Sequence, residues 1–241
     1  MPWHLGQTKL GCPQRTRLNM RIPLAKYGLR EIALGSVLCL GGGALCIWLF
    51  PPAVVAPALA WIFLVAFFRD PNRAVTGSDS ELVSPADGRV VDIELVQPPA
   101  FLDGPAIRIG IFMSLLDVHV NRAPITGKVR YVEHFPGKFR SARKEVSSTR
   151  NEHTLIGMET ANGGEVLVKQ IAGVIARRVV CAVKAGDSVE RGQRLGMVKF
   201  GSRVELFVPA SDSPVVKTRI GDRVKAGRDV LVACHRPACE D

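Results

Sequence analysis

The stretch AGDSVERGQRL (residues 185–195) has a near copy later in the chain, IGDRVKAGRDV (residues 220–230). In each copy a Gly-Asp pair is typical of a turn, a valine follows that would point inward, and a second glycine turns the chain again. A repeat of this kind favours related hairpins over helices. It predicts that residues 76–241 fold as hairpins packed into a flattened barrel.

The chain before and between the two copies has the same character. Short β-rich runs broken by Gly, Pro and Asp extend from GRVVDIELV (residues 88–96) to VELFVP (residues 204–209), which indicates an all-β barrel or sandwich with few helices. Together with SPADGRVV (residues 84–91), the turns resemble the barrel-sandwich hybrid of biotinyl and lipoyl carriers. We therefore expect a mainly β, barrel-sandwich-hybrid-like domain.

A carrier domain would present a modified lysine at a hairpin tip. The nearest match here is Lys199 in GMVKF, and it follows its turn instead of preceding it. This position argues against a carrier. A membrane-anchored β-barrel without chemistry remains the alternative among proteins that are not enzymes.

No charged residue occurs from Ile32 to Phe68. One helix of that length would exceed the ~30 Å hydrocarbon core of a bilayer, and Pro51-Pro52 divides the run in two. Basic residues flank both outer ends, so the positive-inside rule would keep both ends in the cytoplasm. Residues 20–75 are therefore predicted to form a membrane-associating helical hairpin with its flanks, on the cytoplasmic face of the cell membrane. A buried hairpin of a soluble protein is the alternative.

Composition narrows the class of partner. Residues 1–19 are polar and lack an apolar period, which predicts a disordered extension, with Met20 as the expected natural start. The net charge of +10 indicates either nucleic acid or an anionic membrane surface, and the apolar run favours the membrane, so no nucleic acid is expected. Six cysteines without CxxC spacing favour neither a disulfide framework nor a zinc site, and no metal is expected.

Separated motifs over nearly the whole chain resemble the phosphatidylserine decarboxylases in their short bacterial form. The motifs are FFRDPNR (67–73), SPADGRVV (84–91), DVHVNRAP (117–124), RNEHTLIGME (150–159), IAGVIARRVV (171–180) and GQRLGMVKFGSRVELFVP (192–209). The resemblance implies a membrane-associated, pyruvoyl-dependent enzyme that converts phosphatidylserine to phosphatidylethanolamine and CO2. Membrane phosphatidylserine would be its partner, and no metal or diffusible cofactor would be needed.

The resemblance also implies that the Gly201–Ser202 bond breaks itself. The serine hydroxyl would attack the preceding carbonyl, and elimination would leave a covalent pyruvoyl group in place of Ser202, which later forms a Schiff base with the substrate amine. The products would be a β chain (1–201) and an α chain (202–241) that remain paired. The residue types suit this chemistry, because glycine offers an unhindered carbonyl and serine supplies a nucleophile that needs a base.

The same resemblance suggests roles for other side chains. His119 would take the serine proton, Asp87 would orient the imidazole, and His119 would also supply the proton after CO2 leaves. Longer relatives carry a second histidine where this chain has Arg122, so either His119 serves both steps or His153 helps. Weaker candidates for binding the phosphate or carboxylate of the substrate are Arg122, Arg177, Arg178 and His153. A pyruvoyl decarboxylase of another amine is a further alternative, against which the apolar hairpin argues.

Overall fold

The computed structural model describes residues 23–78, 80–137, 151–173, 178–199 and 202–234. The predicted disordered extension, Arg177 and Gly201 lie outside these residues. The helices are a 3-10 turn Lys26–Gly28, α1 (Leu29–Leu49), a 3-10 turn Pro51–Val54, α2 (Val55–Phe67) and a 3-10 turn Ala210–Asp212. The strands are β1 Glu81–Val83, β2 Gly88–Val96, β3 Ala106–Met113, β4 Val120–Arg122, β5 Gly127–Phe135, β6 His153–Glu159, β7 Glu165–Ile171, β8 Val179–Cys181, β9 Ser188–Val189, β10 Arg194–Val198, β11 Ser202–Pro209, β12 Pro214–Val216, β13 Arg223–Val224 and β14 Val230–Cys234.

The N-terminal helices form an apolar hairpin, as predicted. Helix α1 ends at Leu49 because the residue before Pro51 is restricted to extended backbone, and Phe50 has φ −156° and ψ 91°. The indole of Trp61 donates a hydrogen bond of 3.0 Å to the Ser36 hydroxyl and so joins α2 to α1. In the described part of the chain, one helix, Lys26–Leu49, is long and apolar enough to cross a membrane.

The mainly β prediction is confirmed. One sheet has the order β13-β2-β3-β11-β7-β6-β5-β9, and two smaller sheets have the orders β1-β14-β12 and β4-β10-β8. The pairings within them are antiparallel. Apolar side chains from all three sheets share one core, which includes Leu82, Ile111, Val168, Leu195 and Leu231.

The two copies of the repeat lie at the two edges of the large sheet. The first copy contains β9, which pairs with β5, and the second contains β13, which pairs with β2. Gly186 and Gly221 both have φ +99°, a conformation that favours glycine. Asp187 and Asp222 each accept a hydrogen bond from the backbone N–H three residues earlier, at 3.0 and 2.8 Å. The sequence repeat is therefore also a repeat of structure, one copy to each edge.

Strand β11 lies near the middle of the large sheet. It pairs with β3 through all its residues, Ser202–Pro209, and with β7 through Arg203–Phe207. Both of its faces are covered, since even Arg203 and Glu205 are only 1% and 0% exposed. These two pair with each other at 2.8 Å, and Arg203 also pairs with Asp92 of β2 at 2.7 Å. Neighbouring strands on both sides and packed residues on both faces therefore hold β11 in place.

The hairpin is attached firmly to the β part. The N–H of Ala25 donates to the carbonyl of Phe68 at 2.7 Å, and the N–H of Asp70 donates to the carbonyl of Pro23 at 2.7 Å. The rings of Phe67 and Phe68 pack with Val118, Val120 and Met197 in a separate apolar cluster. The domain boundary at residues 75/76 stays a prediction, and the last turn of α2 already packs into the β part.

Candidate active site

Ser202 is the first residue of β11 and lies opposite Met113, the last residue of β3. It is 0% exposed, and its hydroxyl has no hydrogen-bond partner among the described residues. Buried hydroxyls are usually hydrogen-bonded, so this exception calls for a reason. A nucleophile held ready to attack a neighbouring carbonyl is such a reason.

His119 lies just before β4 and is also 0% exposed. Its Nδ1 is 2.9 Å from the carbonyl oxygen of Asp117. Because a carbonyl only accepts hydrogen bonds, Nδ1 carries the proton, and Nε2 of the neutral ring is the basic nitrogen. The ring of Phe67, from the last turn of α2, lies 4.4 Å from the imidazole between centroids. Burial lowers the pKa of His119 to about 4, so the ring is neutral at neutral pH.

The fold places the segment of His119 beside β10, which precedes Ser202 in the chain, and beside the end of β3, which pairs with Ser202. The carbonyl of His119 accepts a hydrogen bond of 3.3 Å from the N–H of Val198, the last residue of β10. The side-chain amide of Asn121, two residues beyond His119, is 3.7 Å from the sulfur of Met113, opposite Ser202. The segment that holds His119 is therefore bonded both to the strand before the predicted cleavage bond and to the strand that faces Ser202.

Asp87 lies in the turn before β2 and is 7% exposed. Within the described residues its carboxylate accepts two hydrogen bonds from the Arg73 guanidinium, one of them 2.7 Å long, and one of 2.8 Å from the N–H of Ala226. The direct partner of His119 Nδ1 is instead the Asp117 carbonyl. Burial dominates the pKa of His119, and the negative charge of Asp87 opposes that shift only weakly. The role of Asp87 stays a prediction, and it would act through charge and through the turn that Asp87 holds, since the carboxylate does not bond to His119 among the described residues.

Arg122 stands where longer relatives are expected to have a second histidine, and it is 5% exposed. Its guanidinium donates to the Asp70 carboxylate at 2.8 Å and to the carbonyls of Pro71 and Gly192 at 2.9 and 3.1 Å. Arg194 binds the other oxygen of Asp70. In this chain the position thus ties the FFRDPNR segment to the first copy of the repeat. Substrate binding by Arg122 stays a prediction.

The remaining candidates lie apart from Ser202. His153 shares a sheet face with Ile171 and Arg203, because these residues are in register across β6, β7 and β11, whereas Ser202 belongs to the alternate row. The Nδ1 of His153 is 2.8 Å from the carbonyl oxygen of Asn151, and burial lowers its pKa. Arg178 is exposed, and its carbonyl accepts a hydrogen bond of 3.4 Å from the N–H of Lys199. The roles suggested for His153 and for Arg178 stay predictions.

A buried amide pair, which the sequence did not lead us to expect, lies on the face of the large sheet that includes Ser202. Asn121 and Gln170 are both 0% exposed, and Gln170 donates a hydrogen bond of 2.7 Å from Nε2 to Oδ1 of Asn121. The Oε1 of Gln170 has no partner among the described residues. Asn121 belongs to the DVHVNRAP motif, but asparagine is usually a surface residue. Its burial distinguishes it here, and the sequence does not show that burial. The Oε1 of Gln170 can therefore accept a further hydrogen bond in the region of Ser202.

The sequence matches a known protein family over most of its length. The model of the phosphatidylserine decarboxylase family matches residues 61–232. A protein of Desulfotalea psychrophila named phosphatidylserine decarboxylase proenzyme is 38% identical over 220 residues, which are 89% of this chain and 98% of that protein. Proteins of the same name from Symbiobacterium thermophilum and Ralstonia pickettii are 44% and 41% identical over 70% and 79% of this chain, and over 78% and 90% of their own lengths. This chain belongs to the phosphatidylserine decarboxylase family.

Proposed function

We propose that the protein decarboxylates phosphatidylserine to phosphatidylethanolamine by means of a pyruvoyl group made from its own Ser202. The observation that carries this proposal is the buried, unpartnered hydroxyl at the start of β11. The family supports the reaction, and the word proenzyme in the names of the relatives supports a processing step. The histidine that would serve as base lies in a segment bonded to Val198 of β10 and, through Asn121, to Met113 opposite Ser202.

In the proposed self-cleavage, His119 is the base and Ser202 the nucleophile. His119 takes the hydroxyl proton of Ser202 at Nε2, Oγ bonds to the carbonyl carbon of Gly201, and the peptide C–N bond breaks, with the proton passing to the freed amine. Loss of the Cα proton of Ser202 then breaks the Cβ–Oγ bond and releases residues 1–201 as a carboxylate. Water hydrolyses the remaining dehydroalanine, and ammonia leaves as the pyruvoyl group forms.

The residues around Ser202 fit such a group. It would be held at the start of β11, in the interior beside Met113, with the Asn121–Gln170 pair nearby. When present it supplies a carbonyl system that takes up the electron pair left by CO2. His119, neutral at rest, accepts a proton from the substrate ammonium at Nε2 and returns it to the carbon that has lost CO2. Burial of His119 keeps bulk water away from this proton.

The proposal includes an α/β pair on the cytoplasmic face of the membrane. The α chain, residues 202–241, would contribute β11, β12, β13 and β14, which pair with β3, β7, β2 and β1 of the β chain or with each other. The exposed apolar hairpin supports insertion into the bilayer, and basic residues at its base (Lys26, Arg30, Arg69) support a cytoplasmic position.

Denaturing electrophoresis and intact mass of the purified wild-type protein test the processing proposal. Two chains are expected, the smaller one beginning at residue 202 with a pyruvoyl group and no free amino terminus. Release of CO2 from phosphatidylserine vesicles tests the reaction itself. A stable, full-length single chain that is fully active would overturn the proposed mechanism.

Asp87→Asn is expected to slow self-cleavage while leaving any processed enzyme partly active. The carboxylate holds Arg73 and the Ala226 N–H, and it contributes negative charge near His119. Removing one partner of this largely buried ion pair costs about 3–5 kcal/mol of stability. The measurement is the half-time of cleavage against kcat of the processed fraction. Arg73→Leu is the matched control, since it breaks the same pair and keeps the Asp87 charge. If it slows cleavage as much as Asp87→Asn does, Asp87 acts only by holding the turn.

Phe67→Ala is expected to raise the pH at which the rate of self-cleavage begins to fall in acid. The base must be neutral, and burial lowers the pKa of His119 from an ordinary value near 6.5 to about 4, so cleavage should stay fast from pH 7 to about 5 and fall near 4. Opening the Phe67 side of the ring admits water and returns the pKa toward 6.5. The charged groups that also bear on the ring, Asp117, Arg69 and Asp87, remain. The cleavage rate is measured from pH 4 to 8, with Leu59→Ala, an exposed residue of α2, as control. A pH dependence of the cleavage rate that equals that of the wild type would contradict the expectation.

A further inference from the structure

The turn between β3 and β4 holds two leucines toward solvent. Leu115 is 37% exposed and Leu116 is 74% exposed. The turn is well fixed, because the Asp117 carboxylate accepts hydrogen bonds from the N–H of Ser114 at 2.8 Å and from its hydroxyl at 2.7 Å. Exposure is therefore built into the fold of this turn. Adjacent exposed leucines beside a larger apolar surface are typical of a site that another apolar phase covers.

The larger apolar surface is the hairpin. Arg69, two residues after α2, donates one hydrogen bond of 2.8 Å to the carbonyl of Ala66 and another to the carbonyl of Leu116. The leucine turn is thus bonded to the base of the hairpin. Ile62 and Phe63, about one turn before the end of α2, are 56% and 40% exposed. In a helix that enters a bilayer, a basic residue at its end lies at the level of the lipid headgroups, and the leucine turn bonded to Arg69 would lie at that level too.

The same turn leads directly to the active site. Asp117 closes the turn with its carboxylate and holds His119 Nδ1 with its carbonyl. Arg223, which is exposed, lies 3.9 Å from the Asp117 carboxylate and adds a cation beside the leucines. Apolar side chains with a cation at their rim suit a bilayer surface that carries anionic lipid.

We propose that the Leu115–Leu116 turn is a second membrane contact, which enters the headgroup region of an anionic bilayer beside the hairpin and holds the His119 end of the sheet against the lipid surface. The hairpin, which is packed against the β domain at its base, holds that domain at the bilayer, and a second contact beside it would further limit tilting. A second contact next to His119 fixes which end of the domain faces the lipid. The inference rests on the proposed function in one respect, that the substrate is a lipid of that bilayer.

Leu116→Ser tests the inference, with Leu95→Ser as the matched control. Leu95 is 67% exposed on β2 and lies opposite Ile107, at the far end of β3 from Met113. Activity is measured on phosphatidylserine in mixed phosphatidylserine–phosphatidylcholine vesicles and on short-chain phosphatidylserine below its critical micelle concentration. Leu116→Ser should process fully, match the wild type on monomeric substrate, and lose about tenfold in kcat/KM on vesicles, since burying one leucine is worth roughly that factor. Leu95→Ser should match the wild type on both substrates.

Fluorescence quenching measures directly whether residue 116 enters the bilayer. Leu116→Trp should add tryptophan fluorescence that brominated lipids quench, beyond the quenching in the wild type, whereas Leu95→Trp should add none that is quenched. Equal losses on both substrates would mean that the turn only supports His119, and would overturn the membrane contact. A change of oligomeric state in Leu116→Ser would assign the leucines to a second copy of the chain and overturn it too. Wild-type protein that fails on both substrates would instead overturn the proposed function.

Discussion

Ser202→Ala is expected to give one uncut chain of 241 residues with no decarboxylase activity. Alanine has no hydroxyl to bond to the Gly201 carbonyl, so neither the cut nor the pyruvoyl group can form. The fold should persist, because the side chain is fully buried and its hydroxyl has no partner among the described residues that would be left unsatisfied. Denaturing electrophoresis, intact mass and CO2 release measure the three parts of this expectation.

Ser188→Ala is the control for that substitution. Ser188 is an exposed serine of β9, at the edge of the same sheet, and its loss should leave cleavage and turnover as in the wild type. Cleavage of Ser202→Ala at residue 201 would show that another nucleophile cuts the chain. Uncut but fully active Ser202→Ala would show that the reaction does not depend on a group made from this residue.

His119→Asn is expected to be nearly inactive in turnover and slow in self-cleavage. Asparagine can place an amide N–H near the position of Nδ1 and keep the bond to the Asp117 carbonyl, but it has no basic nitrogen in place of Nε2. Loss of a catalytic base costs ~10⁴ in rate or more. A cut that happens once can still complete over hours, whereas turnover cannot recover. The measurements are the cleavage half-time and kcat of the processed fraction.

Arg122→His in the His119→Asn background separates two explanations. Arg122 is bonded to Asp70, Pro71 and Gly192, and histidine cannot replace these bonds, so we expect lower stability and no rescue. Rescue of cleavage would show that positions 119 and 122 share one catalytic task, as the longer relatives suggest. Normal cleavage and turnover in His119→Asn would make His119 a core residue and move the search for the base to His153.

The fold was predictable where the pattern is local. The two Gly-Asp turns, the β-rich runs and the charge-free segment with its central prolines each depend on neighbouring residues, and the structure confirms the fold class that they predict. The two faces of β11 were not predictable. Arg203 and Glu205 alternate with apolar residues as in a half-exposed strand, yet both are buried because charged partners on neighbouring strands reach them.

The site was only partly predictable for the same physical reason. A motif names the residues that carry chemistry, but the partners that hold them lie far away in the chain. Asp87 is bound by Arg73 and the second copy of the repeat, and His119 is covered by Phe67 of the hairpin. Each partner is an ordinary residue in its own segment, so no local signal marks it. The sequence therefore predicted the candidate groups, and the fold supplied their environment.

The central place of β11 would impose an order on the proposed maturation. The strand lies in the proposed fragment after the cut, and its neighbours on both sides, β3 and β7, lie in the fragment before it. After the proposed cut, the native state would be an association of two molecules, and its unfolding equilibrium would depend on their concentration, which is not so for the uncut chain. Placing a mid-sheet strand between its neighbours is an intramolecular step only while the chain is still continuous. In the proposed maturation folding would therefore come first and the cut second, and a cut enzyme that unfolds in dilute solution would lack the covalent link that guided its assembly.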